Sequence, residues 1–109
     1  MELNRKPTRE EEELIDLLIK RSSRKFDFNW KEMITVHSMD DGGMGGLIIS
    51  VDKENEQNRL FGEQISEYHF VDNDGVDVIA SLNIDNKGNL FELDIWKTNY
   101  KKLIKFPKL

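Results

Sequence analysis

Glu92, Asp94 and Trp96 stand two residues apart in Leu90-Phe91-Glu92-Leu93-Asp94-Ile95-Trp96, and Asp77, Ser81 and Asn83 lie at even separations in the stretch before it. Even separations place side chains on one face of a β-strand. On adjacent strands such carboxylates raise one another's pKa and can serve acid–base chemistry. Plain solvation produces the same polar face. A tryptophan among carboxylates has a third use, as the anchor for a basic partner. Trp96 could equally lie under a helix or a C-terminal strap, and the pattern leaves its exposure open.

The other chemistry-bearing stretches are weaker. Asp40-Asp41-Gly42-Gly43-Met44-Gly45-Gly46 invites comparison with phosphate-binding loops. It lacks the G-x-x-x-x-G-K-[ST] sequence, and no helix pattern follows to hold an anion at its N-terminus. It reads as a tight glycine-rich hairpin, with Asp41 and Met44 as the residues that would touch a partner. Asp72-Asn73-Asp74-Gly75 and Asp85-Asn86-Lys87-Gly88 carry calcium-loop residue types. With Gly75 at the sixth position of such a loop, Phe70 and Ser81 fall where ligands belong. With Gly88 there, Lys87 does. Turn chemistry accounts for both. His37 and His69 lie on different predicted strands, with no metal-binding spacing around them. No serine sits in a G-x-S-x-G elbow. The absence of cysteine excludes thiolate zinc sites, disulfides and cysteine nucleophiles. No catalytic residue, metal or cofactor is therefore assigned.

The elements that must position these residues are legible in part. Residues 8–21 predict a helix: Thr8 and Glu11 have capping-box spacing, Glu10 to Glu13 oppose the dipole at one end, and Lys20 and Arg21 do so at the other. Leu14, Ile15, Leu17 and Leu18 form its apolar stripe. Ser22 to Asn29 is a connector, extended or looped, with Phe26, Phe28 and Trp30 alternating with polar residues. Residues 32–39 and 47–51 predict strands. Residues 52–59 predict an exposed loop. Ile65 to Trp96 predicts three strands and two short turns. Val76, Val78, Ala80, Leu82 and Ile84 share one face, and matching it to Phe91, Leu93 and Ile95 pairs Leu82 with Phe91 and Ala80 with Leu93. The first hairpin has two solutions, a three-residue loop pairing Phe70 with Val78 or a four-residue loop pairing Val71 with Val76. Asn99 to Leu109 predicts a helical turn or a strap over the core edge.

The 109 residues make one domain, 1–109. Lys and Arg number 16 against 21 Asp and Glu, a net charge of −5. That balance disfavours nucleic acid and suits a basic protein partner. No apolar run predicts a secretory signal or a membrane span, so the expected location is cytoplasmic.

Met39-Asp40-Asp41-Gly42-Gly43-Met44-Gly45-Gly46-Leu47, Phe70 to Val76, Leu82 to Asp85, Leu90 to Lys97 and Leu103 to Pro107 together resemble a group of small single-domain bacterial proteins classed as a domain of unknown function. The resemblance covers nearly the whole chain and brings no catalytic residues with it. Small acidic α+β proteins also resemble immunity proteins that neutralise polymorphic bacterial toxins, an analogy of size, charge and fold.

The expected fold is α+β, an N-terminal helix packed on a mostly antiparallel, meander-like sheet of about five strands. The expected function is non-enzymatic protein interaction, with Asp77, Glu92, Asp94 and Trp96, or Asp41 and Met44 on the glycine loop, contacting a basic partner such as a toxin domain. One rival is a small-ligand or hydrolytic domain using the same carboxylates with His69. Another is a homodimeric structural module joined through a sheet edge or face.

Overall fold

The computed structural model describes residues 4–51 and 58–109. In chain order its elements are helix α1 (Arg9–Arg21), one helical turn α2 (Trp30–Met33), and strands β1 (Ile34–Ser38), β2 (Leu47–Val51), β3 (Phe61–Val71), β4 (Asp77–Asp85) and β5 (Leu90–Lys97). The strands form one antiparallel sheet in the order β1-β2-β5-β4-β3. Hairpin β1–β2 and meander β3–β4–β5 are joined where Leu93 and Glu92 pair with Leu47 and Ile48. The fold is α+β, as the pattern predicts.

α1 begins at its capping box. The Thr8 hydroxyl accepts from the Glu11 N–H, and Glu11 Oε1 accepts from the Thr8 N–H at 2.8 Å. Glu11 is only 6% exposed, because Arg5 donates to both its oxygens at 2.7 and 3.0 Å. Burial pushes this carboxyl up; Arg5 and Thr8 outweigh it and hold it below the ordinary glutamate value. Leu14, Ile15 and Leu18 are fully buried, with α1 lying over β3 and β4, and Leu17 packs at the margin. They meet Val78, Ala80, Leu82, Leu93 and Ile95 in a core that continues into Ile34, Val36, Leu47 and Ile49.

The chain after β5 is an irregular strap without a helical turn. It packs Leu103 and Phe106 on the core. Helix and strap thus cover one face of the sheet, and among the described residues no layer covers the other.

Several sequence expectations change. β1 is shorter than 32–39, because Trp30 to Met33 close a helical turn that buries Trp30. The β4–β5 register differs by two residues: Val78 pairs with Lys97, Ala80 with Ile95, Leu82 with Leu93 and Ile84 with Leu90, with a bulge beside Asn83. A shift of two keeps Leu93 and Ile95 on the core face, so apolar matching does not detect it; the bulge takes Phe91 out of the alternation. The first hairpin takes the three-residue loop, with Phe70 opposite Val78 and Gly75 at φ 82°. Of the expected loop 52–59, residues 52–57 lie outside the described residues, and Arg59 is not exposed. Its side chain is 5% accessible and donates to the carbonyls of Ile49 and Leu90, both at 2.6 Å, and to Asp85 at 2.9 Å. The guanidinium bridges β2 and β5 one step beyond their last ladder pair, and lies 4.7 Å from the Phe91 ring centre.

Candidate interaction face

The register arranges side chains in rows across the open face. Glu67, Ser81 and Asp94 form one row on β3, β4 and β5, and His69, Ile79 and Trp96 form the next. Gln64, Asn83, Glu92, Ile48 and His37 make a row that crosses all five strands. Asp77 stands at the end of β4, beside Val71 and two residues from Ile79. Neighbours within a row are about 4.8 Å apart from strand to strand, and same-face neighbours along a strand about 6.6 Å. Asp77, Glu92, Asp94 and Trp96 therefore come together on one surface.

Trp96 is 41% exposed, which answers the question the sequence left open. Its ring meets that of Tyr100, near the start of the strap, with centroids 6.2 Å apart and planes tilted by 53°. The Asn83 amide donates to Glu92 at 3.3 Å. Ser81 and Asn83 are buried despite facing outward, flanked on both sides by the side chains of β3 and β5. Glu92 and Asp94 are consecutive same-face residues of β5, while Asp77 stands apart at the end of β4, beyond the row of Ile79 and Trp96. A small apolar hollow of about 80 Å³ lies elsewhere, between Trp30, Ile34, Val51 and Leu90, and none of Asp77, Glu92 or Asp94 lines it.

Asp41 and Met44 lie on the glycine loop, which is the β1–β2 hairpin connection. Asp41 accepts from the N–H groups of Gly43 and Met44 at 3.2 and 3.1 Å, and from Gly46 at 2.9 Å. Three backbone donors of the loop are thus already taken by this carboxylate. Met44 is half-buried. Gly45, at φ 100°, sits so close to Leu103 that a Cβ would come within 3.2 Å of it, so the loop and the strap are packed together. The histidines are separated on opposite edge strands. His37 Nδ1 contacts Asn4 Oδ1 at 2.9 Å, and the exposed His69 lies 3.9 Å from Glu67.

Sequence reasoning missed the Lys97 cluster. Lys97 is fully buried and donates to Asp72 at 2.8 Å, Asp74 at 2.7 Å and the Lys102 carbonyl at 3.1 Å. An ammonium has three donors, so its hydrogen-bonding capacity is filled. Asp72 also accepts from the N–H groups of Ile104, Lys105 and Asn73 at 2.8, 3.1 and 2.7 Å. Burial pushes the Asp72 carboxyl up, but Ile104, Lys97, Asn73 and Lys105 prevail and hold it at about 2. Burial likewise pushes Lys97 down, and the Asp72 and Asp74 carboxylates reverse this and raise it. The cluster ties the β3–β4 turn, the end of β5 and the strap into one unit. Its signal was present: Lys97 continues the inward phase of Leu93 and Ile95.

Residues 4–107 match a family described as a domain of unknown function, DUF6984. The chain belongs to this family. No curated protein and no solved structure matches it. The DUF6984 match takes in both the capping box and the strap up to Pro107, so the Lys97 cluster lies inside the family domain. Among its described residues no helix is long and apolar enough to cross a membrane.

Proposed function

We propose that this DUF6984 domain is a non-enzymatic interaction module that binds a basic protein through its open sheet face. The observation that carries the proposal is Trp96, a large aromatic left partly in solvent on a surface shared with Asp77, Asp94 and Glu92. Binding hot spots favour such a residue, and the surrounding carboxylates supply steering and selectivity for positive charge. Small size, a charge of −5 and an α+β fold with one uncovered sheet face also support a narrower version: a cytoplasmic bacterial immunity protein that blocks a basic toxin domain.

Capture from the native lysate tests this, with wild-type protein and an Asp77→Ala, Glu92→Ala, Asp94→Ala triple variant as paired baits. Circular dichroism establishes that the variant is folded. The expected result is a basic protein retained by wild type, released by moderate salt and absent from the variant. A partner held equally by both baits would place binding elsewhere on the molecule and refute the proposal.

A further inference from the structure

Tyr100 is the one non-glycine residue with positive φ among the described residues, at 61°. A residue with a Cβ adopts this conformation at an energetic cost, and Gly or Asn would adopt it more readily. The Tyr100 N–H donates to the Lys97 carbonyl at 2.8 Å, closing the turn by which β5 enters the strap. The turn leaves Tyr100 71% exposed, with its ring beside that of Trp96. The two aromatic surfaces, tilted by 53°, form an open wedge at the edge of the acidic face.

We infer that the Trp96–Tyr100 wedge is the seat for an arginine side chain of the partner. This rests on the interaction reading above and specifies the side chain recognised. Ring faces carry negative quadrupole density, and a guanidinium is the biological cation that most readily stacks on them. Asp94 lies two residues before Trp96 on the same strand face, and Asp77 lies one step along β4 from Ile79, the residue opposite Trp96. A guanidinium lying on the rings keeps five N–H donors in its plane, directed outward to such carboxylates. An ammonium is a hydrated point charge that cannot stack and fork at once. Lys101 follows Tyr100 directly and opposes a cation; Lys102 is directed elsewhere, its stem lying over Gly43.

The chain has two tryptophans, so its amide correlation spectrum contains two indole signals, assigned with Trp96→Phe. Titration with an arginine-rich peptide and its lysine counterpart, at equal salt, tests the seat. The expected result is saturable movement of the Trp96 signal and binding of the arginine peptide about fivefold tighter. Tyr100→Gly should remove that preference while raising the melting temperature, because it relieves the left-handed backbone. Lys101→Glu should tighten binding of both peptides. Equal affinity for the two peptides, or an arginine preference that survives Tyr100→Gly, would overturn the seat and leave the basic-partner proposal standing. Failure of both peptides to bind would also overturn the seat, with the lysate capture deciding the wider proposal separately.

Discussion

At the scale of single residues, the buried lysine shows most directly how charge is used in this fold. Lys97 and Asp72 would each be costly to bury alone, and each is satisfied by the other and by strap backbone. The Asp72 carboxyl titrates at about 2 in the fold, against 3.8 for an unperturbed aspartate. Because the folded value is depressed, the unfolded chain binds more protons between these values. The stabilisation is therefore complete above the unfolded value and is lost as pH falls through the folded one. Lys97 is raised above 10.5, so its contribution is complete below that value and is lost as pH rises through the raised one. The pair adds no slope across neutral pH. In Asp72→Asn, urea midpoints should be lower than wild type at neutral pH and fall less steeply below about pH 4. Lys97→Met should lower the melting temperature by about 10 °C or more, because removing one partner strands the other. An unchanged melting temperature would show that the cluster does not hold the strap.

At the scale of elements, the parts read correctly from sequence are those whose signal is local. Thr8, Glu11 and the stripe Leu14, Ile15, Leu18 specify α1 by spacing alone, and the structure reproduces the capping box. Thr8→Ala should cost about 1 kcal/mol in chemical denaturation. β4 is legible for the same reason, with apolar and polar residues alternating along it except at Ile79. Arg59 had no such signal. It sits in a polar stretch without periodicity, and its role comes from carbonyls on β2 and β5 that only the tertiary fold brings together. The β4–β5 register was illegible because a shift of two keeps Leu93 and Ile95 on the core face, and no local signal marked the bulge that buries Leu90 in place of Phe91. Arg59→Ala leaves Asp85 Oδ2 and two carbonyls without the guanidinium that donates to them, and should cost about 3 kcal/mol or more. Arg59→Lys should recover only part of this, since one ammonium cannot reproduce the three-way fork. Full recovery by lysine would mean that the charge, rather than the bridge between strands, is what matters.

At the scale of the whole molecule, one covered face leaves the other face and two edges to manage. The open face was largely legible: period-two spacing alone put Asp77, Glu92, Asp94 and Trp96 on one surface. The edges were not, because their protection comes from residues distant in sequence. The outer edge of β1 is partly covered, since Arg5 and Val36 exchange backbone hydrogen bonds at 2.8 and 2.7 Å. The edge strand β3 is longer, with 11 residues, but irregularities beside Glu63 and Ser66 interrupt its ladder. Arg24 pairs with Glu63, and Arg21 donates to the Glu67 carbonyl at 3.1 Å. Charges and bulges of this kind oppose strand addition by a second chain. The Asp72 N–H bonds the Val76 carbonyl, so by antiparallel alternation Phe70 faces β4 and the backbone of His69 points outward. His69 and Val71 are thus the part of the edge without such protection. Light scattering at two widely separated concentrations should return the monomer mass of 12.8 kDa at both. A concentration-dependent dimer would favour the homodimeric module. The His69→Pro variant would then locate the contact: it removes an outward donor without breaking the β3–β4 ladder, so it should abolish a dimer built on this edge and leave one built on the open face intact.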